Sequence, residues 1–315
     1  MSARHGDIAD RTASRPFAQV DVFTDVPTRG NPVAVVLDGE GLTDEQMAAF
    51  ARWTNLSETT FLLPPSPEGA AGGADYRLRI FTPGGELPFA GHPTLGSCHA
   101  WLEAGGQARA RDVVVQECGV GLVTIRREGA GTDPGAGAGS DRPSRLAFAA
   151  PALLSDEPLP ADELAAVVAA LGVPEDAVLD HRVLDNGPGW RVVLLDSAER
   201  VARLAPDWSR LRAERPDLSV GVAGLYGDDG GPDGAAVEVR GFALGMGIPE
   251  DPVTGSLNAV VGQWLGRDGR LPEQYVAAQG AALGRAGRVH VTRDDAGTVW
   301  VGGASVTCVA GTVRL

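Results

Sequence analysis

The sequence predicts an α+β fold: mostly antiparallel sheets carrying a few helices, in two similar halves. Three observations predict it. Short strand-like runs outnumber helical patterns, and most are joined by hairpin-like turns. The second half repeats the order of elements of the first. Hairpin links argue against a doubly wound parallel sheet, and no glycine-rich phosphate fingerprint follows a strand; Gly84-Gly85 and Gly302-Gly303 are isolated pairs.

Residues 1–16 are polar and charged, read as a disordered N-terminus, and lack the apolar stretch of a signal peptide. A first domain is expected over 17–127. Residues 17–23 alternate as a strand, and 33–37 form a second one bounded by Asn31-Pro32 and Asp38-Gly39. Thr43 and Gln46 have capping-box spacing. Behind them Met47, Phe50, Ala51 and Thr54 recur at helical spacing, and Asn55 is a plausible stop. The β-branched and aromatic run 59–63 is a strand, so Glu58 sits where a helix hands over to a strand. Residues 64–74 read as a loop and 76–82 as an alternating strand. After the Gly- and Pro-rich stretch that follows, a helix runs to about Leu102 with Leu95, Cys98, His99 and Leu102 facing inward. Residues 113–115 and 122–126 pair across Gly119-Val120-Gly121.

Residues 128–145 are Gly, Ala, Ser, Asp and Pro with almost no large apolar side chain, and read as a flexible linker. A second domain is expected over 146–299. It has a helix at 161–171 closed by Gly172, a strand at 190–195, and a hairpin from 220–226 to 235–239. A helix follows at 257–265, closed by Gly266, then paired strands at 289–291 and 299–301. The last strand, 305–313, ends the chain.

Composition narrows the function classes. The 315 residues are 43% hydrophobic and 22% charged, ordinary for a globular protein with a sizeable core. A net charge of −14 disfavours nucleic acid and anionic membrane surfaces as partners. A local pocket can still accept an anionic substrate. Cys98, Cys118 and Cys308 form no Cys-x-x-Cys pair or zinc spacing, and so sparse a count suits a reducing, cytoplasmic setting. No apolar run reaches transmembrane length.

One internal match stands out. The segments His92 to Ser97 and Asp251 to Ser256 share the pattern x-Pro-x-x-Gly-Ser, and each follows a Phe-containing strand and opens an apolar helix. Matching context favours gene duplication. Free N–H groups at helix starts bind anions. Two such starts facing one cleft would clamp a carboxylate and stabilise an enolate-like intermediate beside it. In this alignment His92 and Asp251 are equivalent and could face one substrate. Glu58 has two readings from its neighbours alone: a solvated helix-end charge, or a carboxylate with a raised pKa at the edge of an apolar strand, as acid–base catalysis needs. No nucleophile elbow and no metal-spaced cluster occurs, so the chemistry on offer is proton transfer.

Several stretches in order resemble the phenazine-biosynthesis isomerase (PhzF-like) family, within the diaminopimelate-epimerase fold. They are Val20-Asp21-Val22-Phe23-Thr24 with Gly30-Asn31-Pro32-Val33-Ala34-Val35; residues 55–61; Phe81-Thr82-Pro83 with residues 86–96; and residues 250–256. Gly284-Arg285, Arg288-Val289 and Val301-Gly302-Gly303 fit as well. The resemblance spans about residues 17–315 outside the linker. It implies two similar domains, each a mostly antiparallel β-roll or half-barrel around a central helix. The site lies between them, and residues 300–315 return to complete the first. It implies a homodimer and no cofactor, and the residue spacing adds no metal site. Glu58 corresponds to the family's acid–base. His92, Asp251 and Ser256 correspond to residues that assist it, and Gly91 and Gly255 to backbone donors. Ser57 and Asn31 are expected to bind substrate. The two cysteines of the related amino-acid epimerases are replaced here by Gly91-His92 and Gly255-Ser256. Leu244 stands where the family usually has proline.

The expected function is therefore a cofactor-independent isomerase moving a hydrogen on a small carboxylate-bearing metabolite. The alternatives are a thiol-independent amino-acid epimerase and a non-catalytic metabolite-binding member.

Overall fold

The computed structural model describes residues 13–128, 145–215 and 218–315. The first half contains β1 (Ser14–Val22), β2 (Asn31–Val36), α1 (Asp44–Thr54), β3 (Thr59–Leu63), α2 (Pro67–Ala71), β4 (Tyr76–Thr82), β5 (Gly85–Leu87), α3 (Gly91–Glu103), β6 (Val113–Cys118) and β7 (Gly121–Glu128). Two strands cross over next, β8 (Arg145–Ala149) and β9 (Ser155–Glu157). The second half contains α4 (Ala161–Leu171), β10 (Val178–Asp185), β11 (Trp190–Leu195), α5 (Ala198–Arg203), α6 (Ser209–Glu214), β12 (Ser219–Leu225), β13 (Val237–Ala243), β14 (Ile248–Asp251), α7 (Gly255–Arg267), β15 (Gln274–Gln279) and β16 (Gly287–Arg293). The chain ends with β17 (Val299–Gly303) and β18 (Ser305–Arg314).

Pairing follows one continuous ladder. It runs β18-β1-β2-β3-β4-β6-β7-β8 through the first half. From β8 it passes to β17 and on through β16-β15-β13-β12-β11-β10-β9. The halves correspond strand for strand: β1 to β10, β2 to β11, and so on to β7 and β16. Short β5 and β14 add to β4 and β13 at the same place in each half. Four ladders are parallel, β2–β3, β4–β6, β11–β12 and β13–β15, and each is bridged by chain passing through a helix. All other ladders are antiparallel, as hairpin-rich patterning requires. Each half is a β-roll wrapped on one central helix, α3 or α7, buried along most of its length. β18 leaves the second half and pairs with β1.

Local chemistry explains the elements that position the site. Thr43 and Gln46 form the capping box of α1, and Asn55 ends that helix in the left-handed region (φ 56°, ψ 25°). Met47, Phe50 and Ala51 are its buried face. Glycine 96 lets α3 sit close on β1 and β2: a Cβ there would lie 2.4 Å from Val33 Cγ1.

Several boundaries differ from the sequence expectation. The first strand begins at Ser14, ahead of the expected 17, because Ser14 to Pro16 ladder with Arg314 to Thr312. The stretch 64–74 contains the short helix α2, capped by Ser66. Helix α7 starts at Gly255 and passes through Gly266 to Arg267, since a glycine at helical φ does not stop a helix whose flanks are buried. The expected linker 128–145 has both ends in strands, Glu128 pairing with Arg145. Residues 129–144, and the N-terminal residues 1–12, lie outside the described residues. Strands β9, β10 and β15 and helices α5 and α6 were not expected; they are short or half polar and lack clean periodicity. Among the described residues no helix is long and apolar enough to cross a membrane.

Candidate active site

The turn that Asn55 creates delivers Glu58 to the entrance of β3, where its carbonyl accepts from Ala34 N–H of β2. The side chain is buried. Burial pushes its carboxyl up to about 7, and a hydrogen bond from the Ser57 side chain works in the opposite direction. Of the two sequence readings of Glu58, the solvated helix-end charge is excluded.

The central helices meet at their starts. A Cβ on Gly91 would lie 3.5 Å from Gly255 Cα, and one on Gly255 would lie 3.5 Å from Gly91 Cα. Helices α1, α2 and α5 are capped by Thr43, Ser66 and Ser197, whereas neither α3 nor α7 has a side-chain cap. Their first intrahelical bonds are Thr94 N–H to Ala90 and Asn258 N–H to Thr254. The amides of Gly91 and His92, and of Gly255, Ser256 and Leu257, therefore have no acceptor within the helix. This geometry also corrects the repeat alignment. Glycine 91 and His92 correspond to Gly255 and Ser256, so the counterpart of His92 is Ser256, not Asp251. The Gly96-Ser97 pair lies inside α3, where Gly96 serves helix–sheet packing.

Around these starts the structure gathers Glu58, His92, Asn31 and Asp251. Glu58 Oε2 and His92 Nε2 are 3.3 Å apart. They lack the alignment of a hydrogen bond, and neither atom has another partner. The two hydrogens of Asn31 Nδ2 go to Asp251 Oδ1 (3.0 Å) and the Val253 carbonyl (2.8 Å). Its 3.4 Å approach to His92 Nδ1 is the longest of the three. The Pro32 carbonyl also acts on the His92 ring, favouring its protonated form. The unpartnered Nε2 faces Glu58.

Charges follow from these surroundings. Burial lowers the His92 ring to about 4, against the opposing pull of Asp251, the Pro32 carbonyl and Asp21. Burial raises Asp251 to about 6; His92 opposes this and Glu58 adds to it. At neutral pH His92 is uncharged, Asp251 is mainly ionised, and Glu58 divides between its two forms.

Ser256 sits in the first turn of α7. Its Oγ accepts from Trp190 Nε1 at 3.2 Å, which leaves its hydroxyl proton free to donate. A cleft of about 710 Å³ opens beside the cluster, lined by Asn31, Ser57 and Asp251, by residues 82–87, and by Gly247 to Pro249. Arg285 is the one cationic side chain among its described lining residues. Glu86 lies in the same wall, paired with Arg79. Leu244 is buried with Trp208 and Phe242 and starts the short turn that forms one wall.

Sequence reasoning missed Thr254, Asn258, Gln279 and Arg285 as parts of this region. Thr254 and Asn258 flank the recognised Gly255-Ser256, so their spacing was a usable signal. Gln279 lies in β15, far along the chain, and has no local signature. Cys98 is buried and its thiol is pushed up to about 12, far from the reactivity of a thiol base. Among the described residues no group of three or more His, Cys, Asp or Glu could hold a metal ion.

A family model described as phenazine biosynthesis-like protein matches residues 20–311. The chain is 36% identical over 310 residues to antisense-enhancing sequence 1 of Schizosaccharomyces pombe, covering 94% of this chain and 97% of that protein. It is 33% identical over 288 residues to trans-2,3-dihydro-3-hydroxyanthranilate isomerase of Pseudomonas aeruginosa, covering 89% and 91%. The crystal structure of a PhzF-family protein from Bacillus anthracis superposes with a TM-score of 0.78 at 24% identity, over 96% of this chain and all of that one. With two β-rolls meeting at uncapped helix starts beside a buried carboxylate, and with that match along nearly its whole length, the chain belongs to the phenazine biosynthesis-like family and is an enzyme of its isomerase type.

Proposed function

We propose that the chain moves a hydrogen between carbon atoms of a small carboxylate-bearing metabolite, with Glu58 as both general base and general acid. The observation that carries this reading is the Glu58–His92 pair: two buried, unpartnered polar atoms 3.3 Å apart beside a cleft. A carboxyl near neutrality can both take and return a proton, as an isomerisation requires.

The remaining groups fit that step. The substrate carboxylate meets the uncapped amides of α3 and α7, or Arg285 at the cleft wall. Ionised Glu58 removes a proton from the adjacent acidified carbon. The charge that develops lies against N–H groups of Gly91, His92, Gly255 and Ser256 and the Ser256 hydroxyl. Glu58 then returns the proton to a second carbon. Trans-2,3-dihydro-3-hydroxyanthranilate, the compound named for a relative, is the first substrate to try.

The test is incubation with that compound and other cyclic or unsaturated amino acids in deuterated water. Wild-type enzyme is expected to place deuterium on carbon, and Glu58→Gln to lose this by a factor on the order of 10² to 10⁴. Exchange at the wild-type rate in Glu58→Gln would remove Glu58 from the mechanism. An epimerisation would instead return the proton to the opposite face of the same carbon. Chiral analysis of product from a single enantiomer separates the two readings.

A further inference from the structure

Behind the site lies a second polar group that the proton chemistry above does not use. Gln279, in β15, is buried, and all four hydrogen-bonding positions of its amide are filled. Its Oε1 accepts from Thr254 N–H (3.0 Å) and Asn258 Nδ2 (2.9 Å). Its Nε2 donates to the Asp251 carbonyl (3.1 Å) and to Thr254 Oγ1 (2.9 Å). The orientation of the amide is fixed by two backbone groups, because Thr254 N–H can only donate and the Asp251 carbonyl can only accept.

A directional consequence follows. Since Thr254 Oγ1 accepts from Gln279, its own hydrogen goes to Asp251 Oδ2, 2.6 Å away. Asp251 Oδ1 already accepts from Asn31 Nδ2. Both oxygens of Asp251 therefore face donors. A proton on Asp251 would force the buried Thr254 hydroxyl to turn away from the acceptor it has.

We propose that Gln279 is a positioning residue: by setting the direction of the Thr254 hydroxyl it holds Asp251 as an acceptor-only carboxylate and confines the mobile proton to Glu58 and His92. Asp251 then acts as a fixed negative charge beside the pair. The link to turnover rests on the acid–base reading of Glu58; the hydrogen-bond relay does not. The ionisable groups facing Asp251 are His92 from α3 and Glu58 from the entrance of β3, with Asp21 of β1 also acting on the His92 ring.

The test is the titration of the Asp251 carboxyl carbon in substrate-free protein labelled with ¹³C-aspartate, its resonance identified with Asp251→Asn. Thr254→Val removes the relayed donor. Gln279→Met, and the shape-conserving Gln279→Glu as a second variant, remove the amide that directs it. Each is expected to raise the Asp251 midpoint by about one to two pH units, the loss of one hydrogen bond to a charged group. Thr254→Ser is expected to titrate like wild type. Gln279→Met added to Thr254→Val is expected to shift Asp251 no further, because the hydroxyl it directs is gone. An unmoved midpoint in Thr254→Val, or additive shifts in the double variant, overturns the proposal. The acid limb of carbon–deuterium exchange is expected to move with Asp251. A shifted Asp251 midpoint with no exchange by any of these proteins upholds the relay and overturns the role given to Glu58.

Discussion

The contact between the two helix starts makes a quantitative distinction between Gly91 and Gly255. A methyl added at Gly91 would lie 2.7 Å from Phe148 Cζ and 2.9 Å from Cε1. That ring cannot swing aside: it is 1% exposed and holds an edge-to-face contact with Phe89 at 5.6 Å. Gly91→Ala is therefore an overpacking substitution, with a cost of about 1–3 kcal/mol. Alanine's helix preference offsets roughly 0.5–1 kcal/mol of it. At Gly255 the nearest atoms to an added methyl, Gly91 Cα, Phe148 Cζ and Phe23 Cζ, are all at 3.5 Å, an ordinary contact distance. Gly255→Ala should be neutral or stabilising by up to about 1 kcal/mol. Urea unfolding of both variants at one pH measures the contrast, which should reach about 2 kcal/mol. Equal midpoints, or a more stable Gly91→Ala, would refute the packing argument.

Further predictions concern charge. Glu58 ordinarily ionises near 4.5 and does so at about 7 when folded, so the unfolded chain releases this proton first. The folded protein should lose up to about 3 kcal/mol as pH rises from 4.5 through 7. Glu58→Gln should match wild type near pH 4 and exceed its stability at pH 8, as urea midpoints at the two pH values will show. The His92 ring stays neutral to about 4 when folded against 6.5 when unfolded, so it costs stability as pH falls from 6.5 toward 4. His92→Asn should flatten that part of the stability–pH curve. Arg285→Ala should raise KM for a carboxylate substrate roughly tenfold with kcat little changed, read from steady-state kinetics. Thr43→Ala should lower stability by about 1 kcal/mol through loss of the α1 cap, without altering kcat.

The fold was legible where side-chain pattern and backbone coincide. Thr43 with Gln46, the left-handed Asn55, the strand at residues 76–82 and the helix closed by Gly172 are each fixed by a few adjacent residues. Elements whose burial is decided across the ladder were not legible. Strand β10 is half polar yet sits between β9 and β11, and β15 is held by pairing with β13 and β16. The repeat was recognised, but its register was misread, because Gly-Ser recurs in both halves for different reasons. In α3 it allows close packing on β1 and β2, while in α7 it opens the helix. In the site, Glu58, His92, Asp251 and Asn31 were found from motifs near one another in the family pattern. Gln279 escaped because its partners come from a turn some two dozen residues earlier, and only folding brings them to its amide.

The two rolls are not equivalent at the site. Both open their central helix on an uncapped glycine, followed by His92 in one and Ser256 in the other, but the entrance of β3 carries Glu58 while the entrance of β12 follows the buried Leu218. The proposed acid–base group thus comes from one roll only. A planar substrate held between the helix starts presents a single face to that carboxylate. Removal and return of the hydrogen would then be suprafacial, and the enzyme would distinguish the two hydrogens of a prochiral methylene. A substrate stereospecifically tritiated on that carbon should give up its label from that carbon, to the new position or to water, when the hydrogen faces Glu58, and keep it in place when it does not.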